Sequence, residues 1–585
     1  MGLPAALKAH AARDLVTAAM HYKRAVLQKS YSPVLFQNYG ALLRELGRDN
    51  EARSIYELGL KHFPDNIPIK RNYVNLLREI DKSLSLEFSF ELLHCRIESH
   101  FDELSDKDFL PIIQILHALG RHSWAYQISL EAISLVGLSA GLAVECLKSF
   151  AYYDPPALSS TISARQQLEH LFSSKLTAFS SLQKAEYLYA LSWMYFQDKS
   201  VDLAIKYLYD ARHVVTTTDD LQPEEIKQVN LLNDLTSWNA SSILLNSQNF
   251  ELGWRLFDHG LRVAAKGPQA WQRALPKPFT NQQVALWRGQ DLKSKSLLLL
   301  EEQAIGDVMQ FLTLLPSLLQ EANHIGLLLN DRLYPIYKRS FSKFLKSGAL
   351  SIWSFDDARS NALNPSDFDY QSPLGSICQY RFIHPSSYAP SIPILNVDFE
   401  ASSNLKLSYL RINSSRESNK LIGVSWRGGG TSPRIKQKSI DPTQFYKLLS
   451  SIPNATFLDL QYGNTQSEIT DWQEKGINIV SDQKFNPIKN MDEWLLQVQA
   501  CDAVISVANT TIHASGGLNV PTICLLSQHF DWRWLMDTSI DQSYWYPSVR
   551  IARESDGDGW SSAFSHVLQW CDDGCPSGGS KTYAV

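Results

Sequence analysis

A chain of 585 residues is longer than one hydrophobic core usually serves, and a 44% hydrophobic, 20% charged composition is ordinary for globular proteins, so disordered and fibrous classes are excluded. Its 55 Lys and Arg against 60 Asp and Glu leave a net charge of -5, without the basic excess of a nucleic-acid or anionic-membrane binder. Seven cysteines, mostly far apart, form no disulfide framework. The close pair Cys571 and Cys575 lies in a Gly/Ser-rich tail without companions for a zinc site. No stretch reaches the roughly 18 apolar residues of a membrane span. The first residues carry no basic region leading into an apolar core, so no secretory signal is expected. Gly2 has no Ser or Thr where a myristoylation motif needs one. The expectation is a cytoplasmic chain with no nucleic-acid partner and no transmembrane segment.

In chain order, the first signal is a repeat. From Pro33, PVLFQNYGALLRELGRDNEARSIYELGLKHFPDN places Gly40, Leu43, Ala52, Tyr56, Gly59 and Pro64 at the spacing of a helix-turn-helix unit of about 34 residues. Small residues at Gly40, Ala52 and Gly59 let the paired helices approach, the aromatic fills the groove, and proline stops the second helix. One period earlier, Ala18, Tyr22 and Ala25 take the same places. One period later stand Val74, Leu77, Leu86 and Phe90, a degraded copy, and another copy surrounds Leu191, Ser192, Ala204, Leu208 and Ala211. These units resemble tetratricopeptide repeats, and the spacing predicts a helical repeat domain over 1–265.

Three prolines in KGPQAWQRALPKPFT then break the pattern, which predicts a linker over 266–290. Beyond it, short apolar runs alternate with helical segments: SLLLL (296–300), HIGLLL (324–329), LSIWSF (350–355), LIGVSW (421–426), ATFLDL (455–460), INIV (477–480), AVISV (503–507) and TICLLS (522–527). That alternation predicts parallel sheets covered on both faces. A looser stretch near 380–418 divides them into two Rossmann-like domains, 291–415 and 416–570, leaving 571–585 as a flexible tail.

Open parallel sheets bind ligands at the carboxyl ends of their strands. In SLLLLEEQAIGDVMQF the strand leads through Glu301 to Gly306 into a helix with Asp307 at its N-terminus, either a capping residue or a functional carboxylate. In AVISVANTTIHASGG, Asn509, Thr510 and Thr511 open a helix suited to a diphosphate, and His513 one turn in can donate to a phosphate or be tied into its surroundings. In LIGVSWRGGGTSPRIKQKSID, Arg427 and three glycines precede Arg434, Lys436 and Lys438; no GKS or GKT follows, so this is no Walker loop. Gln461, after a strand end in LDLQYGN, is placed either to read a nucleobase edge or to form a turn.

These motifs, with NFELGWRLFDHGLR, DFDYQSPLGSI, KSIDPTQF and DWRWLMDTSIDQSYWYPSVRI in order over about 250–570, resemble bacterial tetratricopeptide-repeat proteins fused to a heptosyltransferase-like, glycosyltransferase family 9-type domain. The repeat-plus-transferase plan is also similar to that of O-linked N-acetylglucosamine transferases. The resemblance implies an α-helical TPR-like solenoid followed by an α/β glycosyltransferase-B fold, acceptor-side Rossmann-like domain first and nucleotide-sugar domain second. It implies a nucleotide-sugar donor substrate, no metal and no further cofactor, inversion, and Asp307 as general base. Arg427 and Lys438 are expected to neutralise the departing diphosphate, and Asn509 to His513 match the donor turn. A peptide or protein acceptor, or a glycan or glycolipid, would be held partly by the repeats.

Ala508 stands where many relatives carry an aspartate. That departure keeps open an alternative, a TPR scaffold whose transferase domain is inactive. Trp532, Arg533 and Trp534 are expected near the cleft between the two domains, the tryptophans as packing.

Overall fold

The computed structural model describes residues 2–577 except 100, 152–165, 167, 171, 174–175, 198–199, 218–222, 264–272, 274–277, 361, 385–392, 413–419, 430–434, 436, 529, 536, 538 and 556. Arg434, Lys436, much of the expected linker and the end of the expected tail therefore lie outside the described residues. The chain divides into two compact units, Met1–Leu232 and Asn233–Val585.

Helices joined by short turns build the first unit. Pro33–Glu45 and Asp49–His62 form the best-defined pair. Ser32 opens the pair, its hydroxyl accepting from the Leu35 amide with proline in the first turn, and Gly47 turns the chain at φ 69°. A Cβ on Gly40 would run into the Tyr56 ring, and one on Gly59 would lie 2.8 Å from Phe36 Cβ. The small residues thus do what their spacing predicted. Ala18, Tyr22, Ala25, Ala52 and Tyr56 have no exposed surface, and they share one core with Leu35, Phe36 and Leu43. In the later copies, Leu191, Ser192, Ala204, Leu208 and Ala211 are buried between Ser181–Gln197 and Val201–Thr216. Phe90 is exposed, so the third unit lacks the buried aromatic.

The second unit begins earlier than the expected edge at 265. Phe250, Trp254 and Phe257, from the helix Phe250–Phe257, belong to the same core as Phe311, Trp532 and Trp545. Aromatic burial, rather than chain punctuation, sets that boundary. Its first sheet holds β1 (Ala285–Leu286), β2 (Ser296–Leu300), β3 (His324–Leu329), β4 (Leu350–Ser354) and β5 (Tyr370–Pro373) in the order β1-β5-β2-β3-β4. The second holds β6 (Lys420–Ser425), β7 (Ala455–Asp459), β8 (Ile479–Val480), β9 (Ala503–Val507), β10 (Thr522–Leu526) and β11 (Val549–Arg553) in the order β11-β10-β9-β6-β7-β8. Every paired strand runs parallel.

All eight predicted strands are present within a residue or two. β1 lies inside the segment expected to be linker, and β5 and β11 had no uninterrupted apolar run to announce them. The helix Phe399–Ile412 replaces much of the loose stretch, its inner side resting on the helix Met491–Ala500. The expected tail also starts late: the helix Ser561–Asp572 contains Cys571, Cys575 is buried, and the Trp570 indole donates to the Pro576 carbonyl at 3.0 Å.

In both sheets the strand order reverses beside the first long strand, between β2 and β5 and between β6 and β9. The two carboxyl-end crevices that such reversals open are where ligands of this architecture sit.

Because the Gly40–Tyr56 contact has no slack, Gly40→Val should destabilise the repeat unit by about 1–3 kcal/mol. Urea unfolding of the full chain followed by circular dichroism checks this; an unchanged first midpoint would contradict the tight packing.

Candidate active site at the carboxyl ends of two sheets

β2 ends in three polar residues that each find a partner. Glu301 accepts from the Asn330 amide at 2.6 Å, and burial pushes its carboxyl up. Glu302 is fully buried against Arg273, whose Nη2 donates to it at 2.7 Å and to Ser376 at 2.9 Å. Arg273 Nη1 also reaches Asp258 at 2.6 Å. Gln303 turns the chain with φ 63°, a left-handed conformation rare for a side chain of this kind.

The helix Ile305–Leu312 follows, with Asp307 in its first turn. Asp307 Oδ2 accepts from the Ala304 amide at 3.0 Å, so the residue does cap the helix. Its Oδ1 faces the Arg533 guanidinium. Burial is the largest influence on this carboxyl and pushes it up, against Arg533 and the Ala304 amide, which favour the charged form. A helix N-terminus by itself favours the ionised carboxylate; here desolvation opposes it. Beside it, a Cβ on Gly306 would lie 2.7 Å from the His513 ring, so the helix can meet His513 only with glycine there.

Across the crevice, Asn509 caps the helix Thr510–Gly517. Its Oδ1 accepts from the Thr511 amide at 2.8 Å, and its Nδ2 donates to Ser425 Oγ at 2.8 Å and the Arg427 carbonyl at 3.0 Å. Asn509 thereby ties the end of β9 to the end of β6. Gln461 completes that knot: its Oε1 accepts from Ser425 Oγ and from the amides of Trp426 and Arg427, at 2.9, 3.1 and 2.7 Å. Its Nε2 donates to the Tyr462 carbonyl at 3.2 Å. With both ends engaged, Gln461 shapes the turn. Thr511 is buried, whereas Thr510 is half-buried at the start of the helix.

The two expected diphosphate cations part company. Arg427 points to the Asn464 carbonyl at 2.7 Å and lies 3.5 Å from Glu468. Lys438 lies toward the cleft, 3.4 Å from Asp531, and Arg533 Nη1 is 3.2 Å from the same carboxylate. These two cations hold the Asp531 carboxyl well below the usual range despite its burial. Asp307, Arg533, Asp531 and Lys438 therefore make one chain of alternating charge, buried at Asp307 and half-buried at the other three, linking the two sheet domains.

His513 completes the cluster, with Nδ1 3.1 Å from the Tyr546 hydroxyl. Burial, reinforced by Arg533, pushes its imidazole down to about 3, so it is neutral near pH 7. Asp531 and the role of Arg533 escaped sequence reasoning, although a DWRW run, two charges alternating with tryptophans, carried the signal. Trp532 packs as expected, its ring 5.3 Å from that of Trp254 and 6.2 Å from that of Trp545. Ala508 rests against the core.

No protein-family model matches the chain. Among curated proteins, Protein FlbA of Caulobacter vibrioides is 24% identical over 274 residues, which is 45% of this chain and 44% of that protein. Similar solved structures include both kinds expected from the motifs. The glycosyl transferase family 9 from Veillonella parvula is 10% identical, over 49% of this chain and 99% of that one, with a TM-score of 0.34. The E. coli ADP-heptose lps heptosyltransferase II is 13% identical, over 48% and 98%, at 0.32. A tetratricopeptide repeat protein from Parabacteroides merdae is 16% identical, over 43% and 89%, at 0.31. Scores of this size add nothing to the fold, which rests on strand order and helix pairing. Among the described residues, no helix is long and apolar enough to cross a membrane.

His513 gives a pH test. Its unfolded form takes up a proton near pH 6.5, while the folded form refuses one until about pH 3. This stabilisation is therefore complete above pH 6.5 and is lost as pH falls, by up to about 1.4 kcal/mol per pH unit. His513→Gln should flatten that part of the acid limb in denaturant titrations at pH 4–7; a limb identical to wild type would contradict a buried neutral imidazole.

Proposed function

We propose that the chain is a metal-independent glycosyltransferase that moves a sugar from a nucleotide-sugar to a protein or glycan acceptor. One observation carries the reading: a helix-terminal carboxylate after β2 faces, across a single crevice, two cations and a neutral histidine at the carboxyl ends of the second sheet. Transfer needs a base for the acceptor hydroxyl and positive charge for the leaving diphosphate. In this reading the hydroxyl proton passes to Asp307 as the oxygen bonds to the anomeric carbon. The bond from that carbon to the diphosphate oxygen breaks, and its electron pair leaves with the diphosphate. A carboxyl pushed up by burial is a stronger base once ionised. Lys438 and Arg533 supply the positive charge that a metal provides elsewhere, and attack opposite the departing group inverts the anomeric centre.

Asn509, Gln461 and the Arg427 backbone serve by shape, holding the β6 and β9 ends in register beneath the donor. The repeats of the first unit offer the surface for a peptide or protein acceptor, with a glycan or glycolipid as the other acceptor class. Ala508 favours a second reading: the place of a donor-facing aspartate is filled by a methyl group turned into the core, as in a scaffold that no longer turns over.

The test uses the purified full chain, a panel of nucleotide-sugars and mixed protein and glycan acceptors. Asp307→Asn should keep donor binding and lose transfer by roughly 10²- to 10⁴-fold. Unchanged transfer in that variant would remove Asp307 as the base. Donor binding by wild type without transfer to any acceptor would favour the scaffold.

A further inference from the structure

We infer that Arg533 is the second cation of the donor site and that Asp531 is an internal anion which the donor's diphosphate displaces. This inference rests on the glycosyltransferase reading and names the residues through which that site takes its substrate.

The position expected for the second cation is vacated by Arg427, whose guanidinium is spent on the Asn464 carbonyl and Glu468. Arg533 stands in the cleft instead, with Lys438 reaching the same partner. Asp531 Oδ2 takes both, Lys438 Nζ at 3.4 Å and Arg533 Nη1 at 3.2 Å. Carboxylate and phosphate oxygens use the same N–H donors, so a diphosphate arriving at Lys438 must compete with Asp531. Arg533 is shared further: its Nη2 lies on Asp307 and 3.3 Å from Gln303 Oε1. Asp307 is therefore covered by the cation that a diphosphate would draw away.

The segment holding this arrangement is strained. Leu535 directly follows the Trp532–Trp534 turn with φ 55° and ψ 146°, a combination that a side chain adopts only under constraint. Gln303 is left-handed on the opposing loop. The turn is clamped by Arg553, which donates Nη2 to the Trp534 carbonyl at 2.8 Å while its buried Nε and Nη1 have no hydrogen-bond partner. Strain on both loops and an unsatisfied clamp mark a turn poised to shift. When the diphosphate takes Lys438 and Arg533, Asp531 is released and Asp307 loses its guanidinium. The base is uncovered only with a donor in place, which puts donor binding before proton removal from the acceptor.

Isothermal titration of the full chain with ADP, GDP, UDP and CDP tests this. The wild type should bind one of them. Asp531→Asn should bind that nucleotide roughly fivefold or more tighter, because a competing charge is gone, and Arg533→Gln roughly tenfold more weakly. Asp531→Ser keeps an oxygen for the Arg533 amide, which Asp531 Oδ1 accepts at 3.2 Å, and should also tighten binding if the asparagine variant does not fold. Unchanged or weaker binding in the folded Asp531 variants would overturn the inference while leaving the donor reading intact. A wild type that binds none of the four would overturn the donor reading and the inference together.

Discussion

The second unit depends on the burial of Arg273. Its side chain has no exposed surface, nor does that of Glu302, and the guanidinium also reaches Asp258, Ser376 and the Phe257 carbonyl while lying over the Phe257 ring. One cation thus joins the aromatic helix at 250–257, the end of β2 and the turn after β5. Removing one partner of such a buried pair generally costs about 3–5 kcal/mol, because a charge is left without compensation. Here two carboxylates would be left. The geometry of the turn between β2 and Asp307 follows from that pin, since Glu302 also accepts from the Gly375 amide and so fixes β2 against the segment after β5.

From this fixed turn the rest of the cleft is reached through charge. Asp307 meets Arg533, Arg533 meets Asp531, and Asp531 meets Lys438. Asp307 is buried and the other three are half-buried, and each is paired with an opposite sign. A second contact between the sheet domains, Arg339 Nη1 on Asp492 at 2.6 Å, lies away from the cluster and holds the domains without using its charges. The site therefore combines a rigid floor, in which Asn509 and Gln461 lock two strand ends together, with a wall whose ion pairs can exchange partners.

Periodicity carried far into this structure. Apolar runs such as SLLLL and AVISV announce buried parallel strands because both faces must be dry, and Gly40 with Tyr56 announces a helix pair because nothing larger fits. The strand-turn-helix pattern placed Asp307 at a helix start, as a cap or a functional carboxylate, and Asn509 at the start of another helix. The partners of these residues were not. Arg533 lies 226 residues from Asp307, and no spacing rule connects them. Gln461 was read as facing a nucleobase or forming a turn, and Arg427 as a diphosphate cation by resemblance; a strand end also demands hydrogen bonds for its turn, and both side chains make such bonds here. β5 and β11 escaped notice because one ends in proline and the other alternates arginine with apolar residues. Arg273 sat among prolines that read as linker, where composition gives no hint of burial.

A nucleotide-sugar seated on the β6 and β9 ends, facing Asp307 as proposed, would cover the backbone of both turns. Hydrogen exchange of the full chain, with and without a saturating nucleoside diphosphate, tests it most directly. Slowed exchange is expected in peptides covering 426–429 and 508–513, with a change in 531–535. Protection confined to other regions, with those three peptides unaltered, would contradict it.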